Sequence, residues 1–270
     1  MATRKRGSGY PPSPPQVWNH RKEDRWKMND REKDDEQVGR ILTRREVCAL
    51  LSGAAGAGIV GSGNLASSDM KPLPGCLARP EQTEGPYYLD TRLNRSDIRS
   101  DPADGSIVEG IPLELEFHVS RLTPQGCLPL SGAEVDVWHC DALGIYSGVH
   151  DPHFNTSGKR FLRGYQVTDD TGTARFTTIY PGWYPGRTVH MHFKIRTNSG
   201  ARKRSEFTSQ LYFDDAITDQ ICAQSPYAGN GRRSMRNRDD FIFRTGGDQL
   251  LLAPVRKGDG YAAVFEIALQ

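Results

Sequence analysis

Residues 113–118 read Leu-Glu-Leu-Glu-Phe-His, so apolar side chains alternate with charged or polar ones. This period of two is typical of a strand with one buried face. Residues 134–138 repeat the alternation, and residues 168–172 read Thr-Asp-Asp-Thr-Gly, a turn between two further strand candidates. The remaining strand candidates are residues 165–167, 173–179, 189–196, 207–213 and 261–268. The sequence therefore predicts an all-β fold, a β-sandwich of two mixed or antiparallel sheets with long loops and little helix.

The composition agrees with a β-rich domain. The 270 residues include 28 Gly and 17 Pro, and this many turn residues favours an all-β body over a helical one. The formal net charge is +2, so the overall charge does not indicate a nucleic-acid partner. Residues 214–240 lack strand alternation, and we expect a long excursion there with one helical turn.

The first forty residues differ from the rest of the chain. They are rich in Lys, Arg, Asp, Glu and Pro, with scattered apolar residues and no period. Since such a segment buries too little apolar surface to offset the entropy of ordering, residues 1–40 are predicted to be disordered. A basic arm for nucleic acid is the alternative, and the near balance of acidic and basic residues after residue 20 argues against it.

Residues 41–68 have the pattern of an export signal. Arg44 and Arg45 precede a mildly apolar run rich in Ala and Gly, as in twin-arginine signals. The run from Val47 to Val60 is too short and too weakly apolar to span a bilayer. A buried Ala/Gly-rich helix is the alternative, but the many glycines disfavour it. We expect an exported chain with no stable membrane span, whose globular domain occupies residues 69–270.

Five cysteines are present, and four of them follow the predicted signal: Cys76, Cys127, Cys140 and Cys222. An exported chain meets an oxidising compartment, so we expect two disulfides, for which three pairings exist. No two cysteines are separated by two residues, which argues against a cysteine-based zinc site.

Residues 184–192 read Tyr-Pro-Gly-Arg-Thr-Val-His-Met-His and bring a phenol, a guanidinium and two imidazoles close together in sequence. In a strand, His190 and His192 share one face, while Met191 and Phe193 share the other. Two imidazoles side by side on a sheet face are suited to hold a metal ion.

A second tyrosine, Tyr146, lies in the segment Gly-Ile-Tyr-Ser-Gly at residues 144–148, after a strand candidate and a turn. Considered alone, Tyr146 is most simply interpreted as a structural aromatic residue. It becomes a candidate metal ligand only in combination with the histidine pair. A phenolate is a hard, anionic oxygen donor, so a nearby tyrosine narrows the choice of metal. Copper remains an alternative on ligand type alone. His139 is interpreted as a structural hydrogen-bonding residue, and His150 and His153 as solvated loop residues.

Taken together, these segments resemble the intradiol ring-cleavage dioxygenases, a family that includes catechol and protocatechuate dioxygenases. The matching blocks follow the family's order at residues 80–88, 137–148, 161–169, 178–187, 190–192 and 208–213. They extend over residues 76–270, the whole predicted globular part. The resemblance implies a catalytic domain that inserts both atoms of O₂ into a catechol-type aromatic substrate. The ring would open between the two hydroxylated carbons, giving a muconate-type diacid.

The resemblance also implies one Fe(III) per chain, held by Tyr146, Tyr184, His190 and His192 together with a hydroxide. The chemistry of these donors agrees, because two phenolates and a hydroxide carry negative charge that favours Fe(III) over Fe(II). A bound trivalent ion also lowers the pKa of a phenol below its reference value of about 10.

By the same resemblance, Arg187 is a pocket cation that stabilises negative charge developing on the substrate. Gln210 corresponds to a glutamine that orients this region, and Tyr184 to the ligand that the substrate displaces. Pro86 and Tyr87 match residues that line the substrate pocket; simple packing at the edge of the sandwich is the alternative for both.

Two other functions share some of these sequence features. A catalytically inactive, exported β-sandwich module that binds aromatics or a protein partner would be expected to lack a ligand or Arg187, and none is missing. A cupin-type Fe(II) oxygenase shares the His-x-His pair, but Ile195 and Arg196 stand where a cupin has its carboxylate. The implied partners are a catechol-type small molecule and O₂, and assembly as a homo-oligomer is left open.

Overall fold

The computed structural model describes residues 76–197 and 205–270. The predicted charged segment 1–40 and export signal 41–68 lie outside these residues, so both stay predictions, as does the domain boundary at residue 69. Within the described residues the all-β prediction is confirmed, because two sheets pack against each other around one apolar core.

The five-stranded sheet is built around its longest strand, β1 at Pro112–Thr123. One edge of β1 pairs in parallel with β11 at Gly260–Leu269, which in turn pairs antiparallel with β10 at Val255–Lys257. The other edge pairs antiparallel with β2 at Gly126–Pro129 and with β7 at Thr173–Ile179. This sheet is therefore mixed.

The four-stranded sheet comprises β3 at Glu134–Trp138, β6 at Arg163–Val167, β8 at His190–Thr197 and β9 at Ser205–Tyr212. Its strand order is β6-β3-β8-β9, and all of its pairs are antiparallel. A separate short hairpin joins β4 at His150–Asp151 to β5 at Phe154–Asn155.

The excursion after β9 contains more helix than the single turn that the sequence predicts. Helix α1 spans the eight residues Asp215–Cys222 and is capped by the preceding Asp214, whose side chain accepts hydrogen bonds from the backbone N–H groups of Ala216 and Ile217. Short 3₁₀ segments follow at Tyr227–Asn230, Asn237–Asp239, Phe243–Thr245 and Gly247–Leu250. Across the described ranges, no helix has the length and apolar character needed to cross a membrane.

The core between the sheets is filled by apolar side chains from both of them. On β8, Met191, Phe193 and Ile195 are all fully buried, as strand alternation predicts. The ring of Phe193 lies 5.3 Å from Phe117 of β1 and 5.4 Å from Phe265 of β11, measured between centroids. The side chains at the alternate positions of β8 therefore point away from this core.

Residues 76–98, which we call the N-terminal strap, cover that outer face. Near its start, the carbonyl oxygen of Leu77 accepts a hydrogen bond from Ala268 N of β11 at 2.8 Å. The strap then crosses to the four-stranded sheet, where Gln82 N donates to the carbonyl oxygen of Thr208 at 3.0 Å. As a result, β8 is buried on both faces.

The cysteines differ from expectation. One disulfide joins Cys76 to Cys127, whereas Cys140 and Cys222 are free thiols. The expectation of two disulfides is therefore wrong. The two thiols lie in different parts of the fold. The Sγ of the buried Cys140 is 3.5 Å from the carbonyl oxygen of Gly182, whereas Cys222 is the last residue of α1, so the two do not form a disulfide.

Candidate metal centre

Two imidazoles meet on the outer face of β8. The Nε2 atoms of His190 and His192 are 3.1 Å apart, and both side chains are buried. Their positions are set by the ladder to β9, in which His190 pairs with Tyr212 and His192 pairs with Gln210.

Two loops that depend on glycine bring the predicted tyrosine ligands together. Gly144 has a φ of +83°, and a Cβ there would lie 2.3 Å from a carbonyl oxygen of the loop that carries Tyr184. A Cβ on Gly182 would lie 2.4 Å from a carbonyl oxygen of the loop that carries Tyr146. The two backbones thus approach more closely than any side chain permits, and the ring centroids of Tyr146 and Tyr184 are 5.8 Å apart.

The structure places all four predicted ligand residues in one cluster. The hydroxyl oxygen of Tyr184 is 3.1 Å from His190 Nε2, which extends the row of donor atoms that begins at His192. The ring centroid of Tyr146 is 6.3 Å from that of His192. Among the described residues, the buried hydroxyl of Tyr146 has no hydrogen-bond partner.

The Tyr146 loop is fixed by side chains rather than by sheet pairing. Arg163 is almost fully buried, and its Nε and Nη2 both donate to the carbonyl oxygen of Ser147, at 3.1 and 2.7 Å. Thr156 Oγ1 donates to the carbonyl oxygen of Tyr146 at 2.6 Å. Sequence reasoning did not single out Arg163, because nothing local shows that this arginine is buried.

The protonation states of these groups follow from burial. His190 Nδ1 lies 2.6 Å from the carbonyl oxygen of Thr188, an acceptor, so Nδ1 carries the proton and Nε2 presents its lone pair. Burial lowers the pKa of His190 and of His192 well below the usual value, so both imidazoles are neutral. Burial likewise raises the pKa of Tyr146 and of Tyr184, so both phenols are protonated when no cation is bound.

This donor set fits a hard metal cation. Imidazole lone pairs and an unpartnered buried hydroxyl are groups that a cation would satisfy, and a bound ion would reverse the effect of burial on the phenols. Across the described ranges, no group of three or more His, Cys, Asp or Glu side chains could hold a metal. Coordination here would therefore need the phenol oxygens, which are donors that a hard ion prefers.

Arg187 provides a fixed positive charge beside the cluster. Its Nε donates to Asp240 Oδ2 at 2.8 Å, and its Nη2 donates to Gln210 Oε1 at 2.7 Å. Burial alone lowers the pKa of Arg187, but the neighbouring Tyr184, Tyr212 and Asp240 raise it above its usual value. Arg187 and Gln210, which the sequence predicted separately as site residues, are thus in direct contact. The raised pKa keeps the guanidinium charged.

Asp240 is a second residue that the sequence did not indicate as part of the site. Its carboxylate is fully buried; Oδ2 accepts from both Arg187 Nε and Thr188 N, and Oδ1 accepts from the backbone N–H of Ile242 and Phe243. Asp240 follows Arg-Asn-Arg-Asp, which suggests a solvated charged run. The sequence feature that indicates burial of Asp240 is the apolar stretch Phe-Ile-Phe directly after it.

The strap supplies the wall over the histidines. A Cβ on Gly85 would lie 3.1 Å from His192 Cε1, so the backbone before Pro86 packs directly on that imidazole. The ring of Tyr87 lies 4.8 Å from that of Tyr146, and its hydroxyl donates to Asp151 Oδ2 at 2.9 Å. Pro86 itself is exposed at this edge. Tyr87 therefore borders the cluster, and Pro86 directly follows the glycine that packs on His192.

The other histidines near these loops lie outside the cluster. His139 is fully buried, with Nδ1 2.7 Å from the carbonyl oxygen of Cys140 and Nε2 2.7 Å from Thr178 Oγ1. This agrees with its predicted structural role. His150 and His153 lie in the short hairpin region, where their side chains are exposed.

Comparison with known proteins gives a consistent result. A family model described as a dioxygenase matches residues 83–241. Catechol 1,2-dioxygenase from Candida albicans is 38% identical over 169 residues, covering 54% of this chain and 48% of that protein. A chlorocatechol 1,2-dioxygenase from Pseudomonas putida is 31% identical over 169 residues, covering 52% of this chain and 56% of that protein. The chain thus spans about half the length of these relatives.

Solved structures match over more of their length. An intradiol ring-cleavage dioxygenase from Tetranychus urticae is 31% identical, with a TM-score of 0.61, covering 72% of this chain and 94% of that chain. The dioxygenase domain of a dioxygenase–carbohydrate-binding fusion from Streptomyces sp. SirexAA-E is 29% identical, with a TM-score of 0.51, covering 72% of this chain and 98% of that chain. With the sandwich fold and the family match over residues 83–241, this chain belongs to the intradiol ring-cleavage dioxygenase family.

Proposed function

We propose that this chain is a non-haem, Fe(III)-dependent intradiol dioxygenase that uses O₂ to cleave catechol-type rings between the two hydroxylated carbons, giving muconate-type diacids. The observation that carries the proposal is the row of donor atoms Tyr184 Oη, His190 Nε2 and His192 Nε2, each 3.1 Å from the next. The buried hydroxyl of Tyr146 completes a set of two phenols and two imidazoles.

Tyr146, Tyr184, His190 and His192 would hold one Fe(III) per chain. The bound ion would supply a Lewis acid that makes the aromatic ring of a catechol reactive towards O₂. Around it, the protein has to bind the ring, accept the hydroxyl protons and exclude bulk water.

Tyr184 is suited to accept one substrate proton. Tyr184 is partly buried, whereas Tyr146 is fully buried, so Tyr184 is the more accessible of the two residues. Tyr184 lies in a short loop outside the sheet and is held there through a hydrogen bond with His190 Nε2. With Fe(III) bound, Tyr184 would be a phenolate, and its oxygen could then take a proton from the substrate without disturbing the strand.

Arg187 is suited to stabilise negative charge that develops on the ring. Asp240 and Gln210 engage its Nε and Nη2, and these contacts do not use Nη1. Gln210 is itself held, because its Nε2 donates to the carbonyl oxygen of Thr83 at 3.0 Å. A cation fixed before the reaction needs no reorganisation when charge appears, which is how preorganised donors contribute to catalysis.

The direct test uses purified protein loaded with Fe(III) and 4-substituted catechols. Adding a catechol without oxygen should shift the tyrosinate-to-iron visible band, and admitting air should consume one O₂ per catechol and yield the diacid. A loaded protein whose spectrum does not respond to any catechol would refute the proposal.

We also propose that the chain is exported through a twin-arginine signal at residues 41–68. The disulfide between Cys76 and Cys127 supports this, because such bonds persist in oxidising compartments. Replacing both arginines, Arg44→Lys with Arg45→Lys, should retain the protein in the cytosol. Unchanged secretion of the double variant would refute export by this route.

A further inference from the structure

The two histidines of the cluster are held in different ways. His190 donates its Nδ1 proton to the carbonyl oxygen of Thr188 at 2.6 Å. The Nδ1 atom of His192 is buried, and among the described residues it has no hydrogen-bond partner. Metal-binding histidines usually have such a partner on the second ring nitrogen, which fixes the orientation of the ring. Something else must therefore orient His192.

Trp138 lies directly against the face of His192. The two residues are opposite each other in the ladder between β3 and β8. Their ring centroids are 5.1 Å apart, and their planes differ by only 7°. Both side chains are buried, so this stacked contact leaves His192 little freedom to rotate. On another side, a Cβ on Gly85 would lie 3.1 Å from Cε1 of the same imidazole.

Trp138 is itself held by the N-terminal strap. The ring of Tyr88 packs edge-on against the indole, with centroids 4.8 Å apart and planes at 60°. The ammonium group of Lys194 lies 4.3 Å from the centroid of Tyr88 and also pairs with Glu84 of the strap. The indole is thus fixed between the imidazole and the strap.

We propose that Trp138 is a positioning residue for the metal centre: its indole sets the plane of His192, and so the direction of Nε2, in place of a hydrogen bond on Nδ1. This inference rests on the proposed iron site. Stacking on Trp138 would thus orient His192, just as the hydrogen bond to the carbonyl oxygen of Thr188 orients His190.

The test compares Trp138→Leu, which removes the aromatic face, with Trp138→Phe, which keeps one. Phe117→Leu is the matched control, because Phe117 is a fully buried aromatic that contacts Phe193 and Phe265 in the core between the sheets, on the side of β8 opposite to the histidines. For each variant, the Fe(III) dissociation constant is measured by chelator competition, and the melting temperature of the iron-free protein is measured alongside.

We expect Trp138→Leu to weaken Fe(III) binding by roughly 10-fold to 100-fold, the range found when the partner of a metal-binding histidine is removed. Trp138→Phe should stay much closer to the wild type. Phe117→Leu should lower the melting temperature and leave the iron affinity unchanged. If Trp138→Leu does not fold, Trp138→Met, which fills the space without a ring face, takes its place.

Wild-type affinity for Fe(III) in Trp138→Leu would overturn this inference but leave the proposed function standing. An equal loss of affinity in Phe117→Leu would also overturn it, since general softening of the sandwich would then explain the effect. A wild-type protein without affinity for Fe(III) would refute the proposed function, and the inference with it.

Discussion

The two faces of strand β8 are both buried, yet they are chemically opposite. The inner face carries Met191, Phe193 and Ile195, which belong to the apolar core between the sheets. The outer face carries two histidines followed by Lys194 and Arg196, none of them more than 7% exposed. Burial of the first face stabilises the fold, whereas burial of the second costs free energy unless every polar group finds a partner.

Most of the outer face does find partners. Lys194 pairs with Glu84, and Arg196 Nη1 donates to Asp136 Oδ2 at 2.9 Å. The histidines instead face each other and a phenol, and no carboxylate among the described residues makes a hydrogen bond to their Nε2 atoms. Unfavourable arrangements of this kind persist at functional sites, where a ligand later satisfies them. This difference between the two histidines and the paired Lys194 and Arg196 places the candidate metal site at the His190 end of the outer face.

Phe193→Ala probes the inner face. Removing this fully buried ring should lower the free energy of unfolding by about 3–5 kcal/mol, because a cavity remains between the sheets. Urea unfolding measures the loss. The variant should still bind one Fe(III) per folded chain, and abolished iron binding in folded protein would show that the two faces are not separable.

Arg187→Met probes the site end of the outer face. Turnover should fall about 10²-fold to 10³-fold, as when one preorganised donor is removed from an active site, while the visible iron band persists. Steady-state oxygen consumption gives the rate. Arg175→Met, at an arginine of the opposite sheet whose side chain is 61% exposed, is the control and should behave as wild type. Full activity of Arg187→Met would exclude the proposed role.

His139 provides a pH-dependent contrast, because it is a buried histidine with both nitrogens bonded. Burial lowers its pKa to about 4, so between that value and its unfolded pKa near 6.5 the unfolded chain binds more protons than the native one. Stability contributed by neutral His139 is thus present above pH 6.5 and is lost as pH falls towards 4. The loss amounts to about 3 kcal/mol.

His139→Gln should remove this part of the pH dependence. Unfolding of the iron-free wild type and variant is compared between pH 4 and pH 7, where His190 and His192 contribute equally to both. The variant should show the smaller decline in stability as the pH falls. Identical slopes would mean that His139 is not held neutral by burial.

The smallest effect is expected at the solvent edge of the outer face. The side chain of Glu84 is 40% exposed, so Glu84→Gln should cost less than about 1 kcal/mol of stability. Glu114→Gln, which weakens the exposed pair with Lys257 on the opposite sheet, is the comparison for thermal unfolding. A larger loss at Glu84 would show that the strap depends on this ion pair.

Local pattern predicted much of this arrangement. The strand candidates matched β3, β7, β8 and β11 to within one residue at each end and covered half of β1, because the period of two is a property of the strand itself. The His190 and His192 pair on one face follows from the same period. The resemblance to the dioxygenase family assigned roles to Tyr146, Tyr184 and Arg187.

The remaining features depend on contacts distant in sequence. Asp240 is buried because Arg187 and Thr188, more than fifty residues earlier, donate to it. Burial of the outer face depends on the strap, which reaches β8 from over one hundred residues away. No local period encodes either contact, and for the same reason the number of disulfides could not be read from cysteine spacing.

The most direct test of the central claim is the iron content and visible spectrum of the purified chain. The account predicts one Fe(III) per chain and a red to brown tyrosinate band, which Tyr184→Phe alters and His190→Ala with His192→Ala abolishes. A colourless protein that binds stoichiometric zinc and takes up no Fe(III) would contradict it.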